Sequence, residues 1–269
     1  MKAKRLVIVC AAVSFSQLVY SAESFFDKLT LAPTVAVKMK NLSFDLDHIK
    51  GTSSLLASAS GDFEVHMPLL SLGLTAAYDR FYIAIKRDDS FDDALTTSTV
   101  PFTGGKSTVQ REDMNLTFGM NVAGGVNIFV GYMDGETTLT NITGFASTQS
   151  PRYTQEYQED GFFAGASYNL PVEEVGTLTF STAYAFMDGV YEDNFATQGR
   201  VLEYDGDSEG MSLGVTWSAP LTERIGYFID LRYQSYYFEG DAANGNFVGS
   251  EVEAEEEMLT YSAGLQWYF

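Results

Sequence analysis

Polar and apolar residues alternate with a period of two along most of this chain, without a helical periodicity of comparable length. The last segment is the clearest example. Its alternate positions carry Leu, Tyr, Ala, Leu, Trp and Phe, and the positions between them carry Thr, Ser, Gly, Gln and Tyr. The pattern is typical of strands with one apolar face. It predicts ten strands, near 29–40, 66–78, 81–86, 114–122, 126–133, 161–170, 176–186, 210–218, 225–238 and 258–269.

The connections between these strands alternate in length. Short turns rich in Gly, Pro, Asp and Asn are expected after every second strand. Longer connections separate the other pairs, which indicates an up-and-down meander with both termini on the side of the short turns. The long loops are predicted at 41–65, 87–113, 134–160, 187–209 and 239–257.

The composition of the polar faces distinguishes a membrane barrel from a water-soluble antiparallel fold. A solvated sheet face normally carries many charged side chains, but these faces carry mainly Gly, Ala, Ser, Thr and Asn. Small side chains fit the inside of a closed barrel, whose large apolar side chains then face lipid. We therefore predict an all-β fold, a transmembrane up-and-down antiparallel β-barrel of about ten strands. Phe118, Val215 and Leu265 should face outward, and Pro33 and Pro68 should mark a bulge or break.

The N-terminus has the features of a secretory signal peptide. Lys2, Lys4 and Arg5 precede an apolar run, 6–13, and small residues follow it. That run is much shorter than the ~20 residues that a membrane-spanning helix needs. We predict cleavage after Ser21, which gives a signal peptide at 1–21, a short periplasmic segment at 22–28 and a barrel at 29–269.

The C-terminus carries a family resemblance. The sequence Gln266-Trp267-Tyr268-Phe269, with apolar residues alternating back from the terminal Phe269, resembles the C-terminal signature of Gram-negative outer-membrane β-barrel proteins, including the small porin-like barrels. The resemblance implies a location in the cell outer membrane, contact with outer-membrane lipid and lipopolysaccharide, and recognition of Phe269 by the barrel-assembly machinery. It indicates no specific functional family, so it transfers no site residues.

The charge balance excludes one class of partner and suggests another. The chain has 36 acidic and 16 basic residues, a formal net charge of −20. Phosphate repulsion then argues against nucleic acid. Most of the acids fall in the predicted long loops. Those acidic extracellular loops are interpreted either as a hydrated surface or as ligands for Ca²⁺ or Mg²⁺ that bridge to lipopolysaccharide phosphates.

One segment is a specific candidate for such a metal site. Asp205, Asp207 and Glu209 have the spacing of the first half of an EF-hand loop. Thr216 occupies the twelfth position, where an EF-hand has a bidentate Glu. No other cofactor is expected, and the single cysteine, Cys10, lies within the predicted signal peptide.

A few charged residues fall on the predicted lumen face. They are interpreted as a structural network of ion pairs or as a charged constriction that selects small solutes. Asp230 and Arg232 are expected to pair with each other or across strands. The lumen candidates are Lys38, Lys40, Lys86, Asp230 and Arg232.

The chain offers little for catalysis. It contains two histidines, and only His48 lies near acids, Asp45 and Asp47. We assign no catalytic residue. The function favoured by the sequence is a porin-like passive channel for small solutes. The alternative is a structural or surface-interaction barrel whose acidic loops bind divalent cations, lipopolysaccharide or a partner, and a remote alternative is an outer-membrane hydrolase.

Overall fold

The computed structural model describes residues 29–50, 61–91, 93–98, 105–141, 154–173, 175–195, 200–243 and 250–269. The predicted signal peptide, 1–21, and the segment 22–28 lie outside these residues. Within the described ranges, no helix is long and apolar enough to cross a membrane. The strands are β1 (Leu29–Lys50), β2 (Gly61–Tyr78), β3 (Phe81–Ser90), β4 (Ala94–Ser98), β5 (Gly105–Ala123), β6 (Val126–Asn141), β7 (Thr154–Val172), β8 (Gly176–Phe195), β9 (Arg200–Pro220), β10 (Ile225–Ala242) and β11 (Glu251–Trp267).

The strands form a closed antiparallel barrel. Each strand from β5 to β11 pairs with its neighbours in sequence, β11 pairs with β1, and β3 closes the ring by pairing with β5. β3 and β4 both pair with β5 and together occupy one position in the wall. The wall therefore has ten positions, which confirms the predicted architecture. We call the end that carries the short turns the turn end, and the opposite end the loop end.

The strands are considerably longer than the sequence pattern predicted. β1 has 22 residues and β9 has 21, whereas a strand that only crosses a bilayer needs about 9–11. Much of the five predicted loops is therefore strand. The residues 51–60, 99–104, 142–153, 196–199 and 244–249, which fall within those predicted loops, lie outside the described ranges.

The predicted strands stopped early because the apolar face changes sides along each strand. In β1, Val37 and Met39 face outward and are 58% and 44% exposed, but Leu42 and Phe44 face inward and are buried. Polar and apolar residues still alternate beyond this point, but the apolar residues now face inward and the polar residues outward. The half of the wall near the turn end is apolar outside, and the half near the loop end is apolar inside.

The outer wall near the turn end has the surface expected of a membrane barrel. Phe118, Val215 and Leu265 face outward, which confirms the prediction for them. Small side chains line the inside of this half, and aromatic rings cover several of its glycines. A Cβ atom at Gly119 would lie 2.2 Å from the Tyr82 ring, so only glycine admits that ring.

The inside of the loop-end half contains a continuous apolar core, which we call the plug. Its side chains come from nearly every position in the wall and are almost fully removed from solvent. Burial on this scale is the main favourable contribution to folding. The plug comprises Leu42, Phe44, Leu46, Phe63, Val65, Met67, Ala94, Val109, Met133, Leu139, Tyr157, Ala185, Met187, Tyr191, Leu202, Tyr204, Tyr236, Phe238, Val252, Ala254 and Met258.

The predicted bulge is absent at both prolines, but the predicted break occurs at Pro33, in the ladder between β1 and β11. Pro33 and Pro68 both lie in the uninterrupted register between β1 and β2. Each is next to the end of its other ladder, because the β1–β11 register begins at Thr34 and the β2–β3 register ends at Leu69. At Pro33 the missing N–H interrupts the ladder, since Leu31 bonds to Phe269 beyond it, whereas Pro68 lies next to the end of the β2–β3 ladder, where proline is tolerated.

Truncation of a plug residue should destabilise the barrel more than the same truncation on the lipid-facing wall. Leu42 is fully buried and Leu72 is 52% exposed. Leu42→Ala should lower the free energy of unfolding by about 2–5 kcal/mol, because it leaves a cavity. Leu72→Ala should cost less, since detergent fills the space. Urea unfolding of the barrel in micelles measures both, and equal losses would contradict the buried plug.

Candidate functional site

A layer of charged side chains crosses the lumen just below the plug. In β1, Lys38 and Lys40 separate the small lumen residue Ala36 from the plug residue Leu42. The remaining charges come from five other strands, and the whole set contains five acids and five bases. We call this set the charge layer: Lys38, Lys40, Lys86, Asp88, Arg111, Asp113, Glu159, Asp230, Arg232 and Glu256.

Ion pairs connect β1 to β3 and β5 within this layer. Lys38 Nζ lies 2.6 Å from Asp88 Oδ2, and Lys40 Nζ lies 2.5 Å from Asp113 Oδ2. Asp88 also accepts from Lys86, at 3.2 Å. Because burial of a charge is costly unless it is paired and hydrogen-bonded, these contacts explain how the lumen tolerates the lysines.

Arg111 is the most enclosed cation of the charge layer, with 2% of its side chain exposed. Its Nε donates to Asp113 Oδ1 at 2.8 Å, and its Nη1 donates to Thr137 Oγ1 at 2.7 Å and to Glu256 Oε1. Three wall positions separate β5 from β11 in the shorter direction round the barrel. The contact between Arg111 in β5 and Glu256 in β11 therefore crosses the lumen. Glu159, nearby, accepts from Tyr157 and Ser208, both at 2.6 Å.

Asp230 and Arg232 form the looser part of the layer. Their closest atoms, Asp230 Oδ1 and Arg232 Nη2, are 3.7 Å apart. Thr216 donates to Asp230 at 2.6 Å, and Arg232 Nη1 is 3.5 Å from Ser212 Oγ. The pairing expected from the sequence is present, and it leaves most donors of the guanidinium without a close acceptor.

All five lumen candidates named from the sequence lie inside the barrel. The sequence analysis missed their acidic partners and Arg111, because these lie in segments predicted to be loops. A usable signal was present. Asp88 follows Lys86 by two residues and Asp113 follows Arg111 by two, which places each pair on one face of a continued strand.

Aromatic rings close the bore above the charge layer. The ring centroids of Phe44 in β1 and Tyr157 in β7 are 5.3 Å apart. Four wall positions separate these strands in either direction, so the two residues come from opposite sides of the barrel. Phe44 also stacks on Phe63 at 5.4 Å, and Tyr157 meets Phe238 at 5.6 Å. The bore is therefore filled at its axis by side chains of the wall.

A cavity of about 90 Å³ lies between the charge layer and the plug's lower surface. Met133 and Tyr236 from the plug form part of its lining, and Thr117, Asn115 and Gln234 contribute polar groups. By volume it accommodates several water molecules, since one needs roughly 10–15 Å³ on this measure.

The outer wall of the loop-end half carries a continuous row of acids. Each member is directly opposite the next on the adjacent strand, over seven neighbouring strands. Like charges in this arrangement repel each other and destabilise the sheet. We call this set the acid row: Asp134, Asp160, Asp188, Asp207, Glu239, Glu253 and Asp47.

Glu136, one pair beyond the acid row on β6, shows the effect of this crowding. Partial burial raises the pKa of its carboxyl group, and the negative charge of Glu156 raises it further. A raised carboxyl pKa means that the folded state disfavours the ionised form. Glu136 is therefore held against the repulsion of its acidic neighbours.

The candidate metal residues do not form a loop. Asp205, Asp207 and Glu209 lie in β9, extended and paired with β8 and β10, with their side chains exposed on the outer wall. In the described residues, no group of three or more His, Cys, Asp or Glu side chains is arranged to hold a metal ion. The structure thus offers single carboxylates on a flat wall rather than an enclosed cage.

The residues considered for hydrolysis are also distributed on the wall. Asp45 and Asp47 are exposed on the outer face of β1. The side chain of His48 lies outside the described residues. His66, also on the outer wall, has its Nδ1 2.8 Å from Asn41 Oδ1.

Loss of the Arg111 side chain should destabilise the barrel strongly. Arg111→Met leaves Asp113 and Glu256 without their main buried partner, so it should cost about 3–5 kcal/mol. Arg87→Met is the matched control. It also removes pairs with two acids, Asp89 and Glu112, but on the exposed wall, where the cost should be within about 1 kcal/mol. Denaturant unfolding measures both variants, and similar losses would contradict the buried network.

No family model matches the sequence, and a search of curated proteins finds no match. Among solved structures, the barrel is similar to the outer membrane protease OmpT from Escherichia coli, with a TM-score of 0.58 and 11% identity over 92% of this chain and 99% of that one. The outer membrane protein OprG from Pseudomonas aeruginosa matches less well, with a TM-score of 0.40 and 9% identity over 89% and 95%. At such identities a likeness shows the fold alone. The chain has the fold of an outer-membrane β-barrel.

Proposed function

We propose that this protein is located in the bacterial outer membrane as a barrel that does not conduct solutes. Its function is then on its acidic outer wall above the lipid, which binds lipopolysaccharide phosphates through shared divalent cations. The observation that carries the proposal is the contact between Phe44 and Tyr157, which fills the bore at its axis.

The surface of the barrel supports this location. Most large apolar side chains on the outer wall lie in the turn-end half, whereas the loop-end half is mainly acidic outside, with Leu95 and Val201 as exceptions. An apolar band followed by a polar extension suits a bilayer with water beyond it. In outer-membrane barrels the short turns face the periplasm. The acidic half then extends outside the cell.

On β7 and β8 the acid row directly adjoins the apolar band, at the height where lipopolysaccharide headgroups would lie. On β8, the outward residue Phe186 is followed two positions later by Asp188, so the acids begin where the apolar band ends. Carboxylates and phosphates are both hard oxygen ligands for Ca²⁺ and Mg²⁺. Because the described acids form no cage of their own, a cation would complete its coordination with oxygens from another molecule.

A porin-like channel is the second candidate. The charge layer and the cavity beneath the plug favour it, since charged rings select solutes in pores. It requires the plug to move aside. Hydrolysis has less support, because Asp45 and Asp47 lie on the outer wall.

The C-terminus supports the proposed recognition by the barrel-assembly machinery. Phe269 is 73% exposed, and its backbone exchanges hydrogen bonds with Leu31 at 3.0 and 3.1 Å. The residue thus ends the seam between the last and first strands while its ring stays accessible. That combination suits a signal that is read before the barrel closes.

Purified, folded protein should give no conductance steps in a planar bilayer. The plug leaves no continuous water path, so the membrane should stay at its baseline at moderate voltages. A heat-dependent shift in electrophoretic mobility confirms the folded state, and protein-free bilayers give the baseline. Reproducible steps from folded protein would reject the non-conducting barrel and favour the channel.

Binding to lipopolysaccharide should depend on divalent cations and on the acid row. The barrel in micelles should bind lipopolysaccharide severalfold more tightly in Mg²⁺ than in Na⁺ at equal ionic strength. A triple variant, Asp188→Asn with Asp207→Asn and Glu239→Gln, should lose that difference. Fluorescence anisotropy of labelled lipopolysaccharide measures the affinity.

The matched control removes three acids from the opposite end of the barrel. Asp79→Asn with Glu173→Gln and Glu223→Gln changes the net charge equally but alters only the short turns. Asn tolerates the positive φ of 54° at position 79. This variant should keep the Mg²⁺ dependence. Equal behaviour of the two triple variants would show that net charge, not the acid row, is responsible.

A further inference from the structure

The lumen below the plug is a blind pocket that opens toward the turn end. Inward-facing residues of the loop-end half are almost all buried, but several in the turn-end half are only half-buried, including Thr34, Ser181, Thr216 and Phe228. Solvent therefore reaches the lumen from the turn end and stops at the plug. The charge layer and its cavity form the inner surface of this pocket.

The charges that line the cavity are not balanced. Four cations and three acids line it. The two glutamates of the charge layer do not offset the excess there: Glu256 pairs in register with Phe44, at plug height, and Glu159 does not line the cavity. One positive charge remains in excess at the cavity surface. The lining charges are Lys38, Lys40, Lys86, Arg232, Asp88, Asp113 and Asp230.

Two of the four cations have donors to spare. Lys38 and Lys40 make short ion pairs, and their side chains are 8% and 4% exposed. Lys86 and Arg232 are 20% and 26% exposed, and their ion pairs are longer, at 3.2 and 3.7 Å. The ammonium of Lys86 and the guanidinium of Arg232 thus both line the cavity and both have unused N–H groups.

Buried polar atoms in the lining also lack partners. Thr117 is fully buried and Thr260 is 4% exposed, and neither hydroxyl has a hydrogen-bond partner within the protein. Asp88 Oδ1 is equally unsatisfied. Unpaired buried groups of this kind cost roughly 1–3 kcal/mol each unless something in the cavity bonds to them. The hydroxyls can donate to an acceptor, and water can donate to Asp88.

We propose that this pocket binds a small monovalent anion of the carboxylate class, which enters from the periplasmic side and binds between Lys86 and Arg232. The guanidinium and the ammonium neutralise its charge, the threonine hydroxyls donate to its oxygens, and accompanying water satisfies Asp88. This is a function of the lumen that does not depend on the outer acid row.

The cavity volume limits the ligand to a few heavy atoms. Benzene occupies a cavity of about 150 Å³ in a protein core, and this cavity measures about 90 Å³. Formate or acetate with one or two waters fits within it. An aromatic carboxylate such as benzoate is too large for the cavity unless the plug side chains move.

The test is a titration of the folded barrel in micelles with ¹³C-labelled acetate, followed by NMR line broadening. Sodium gluconate, whose anion is too large for the cavity, holds the ionic strength constant. Acetate should bind saturably, and benzoate should not compete. Absence of saturable binding, or equal competition by benzoate, would overturn the proposal.

Two variants locate the site, and a third is the matched control. Lys86→Gln and Arg232→Gln should each weaken acetate binding about tenfold or more, because each removes a charge-assisted hydrogen bond. Arg87→Gln removes a positive charge one residue away, but on the outer wall, and should leave binding unchanged. Unchanged affinity in both lumen variants would exclude this cavity as the site.

A second measurement applies if a lumen variant does not fold. Acetate that binds only the native state should raise the urea midpoint of the unaltered barrel relative to gluconate, by the usual mass-action dependence on concentration. No difference between the two salts would overturn the proposal. Because neither experiment involves lipopolysaccharide or conductance, a failed test of the outer-wall function leaves this result unaffected.

Discussion

The structure depends on one constraint: the outer wall changes from an apolar to an acidic surface along its length, as a wall passing from hydrocarbon into water must. A barrel satisfies its backbone hydrogen bonds by closure at every height, so the wall itself can continue unchanged beyond the bilayer. The side chains of the wall cannot stay the same, because their surroundings change. In β1 the outward residues change from Val37 and Met39 to Asp45 and Asp47, while the inward residues change from Ala36 to Leu42 and Phe44. The same strand is a membrane strand at one end and an ordinary soluble strand at the other.

Inside the barrel, the charge layer lies between the lumen lined by small residues and the apolar plug. Below it, small residues leave space that water can enter. Above it, the apolar core excludes water. Ionised groups at such a boundary need partners from the protein, and the short contacts of Lys38, Lys40 and Arg111 supply them. The cavity lies at the same boundary and is lined in part by residues of these ion pairs.

The sequence alone predicts much of this fold. Period-two alternation locates all ten wall positions, and the outward orientation of Phe118, Val215 and Leu265 follows from it. The lengths of the strands were not predicted, because alternation whose phase reverses looks like the end of a strand. That error hid Asp88, Asp113 and Glu256 as lumen residues, and local sequence does not show which residue each of them meets across the lumen. The contact of Arg111 with Glu256 joins residues 145 positions apart, and only closure of the barrel brings them together.

Contacts that span the lumen change the mechanics of the tube. An empty cylinder of strands resists stretching along its hydrogen bonds but flattens easily, since bending a sheet is soft. Phe44 against Tyr157 and Arg111 against Glu256 act as internal struts between distant parts of the wall. Flattening the cross-section would compress one strut and pull another apart. The part of the tube beyond the bilayer, which lacks the lateral pressure of lipid, is therefore held round from within.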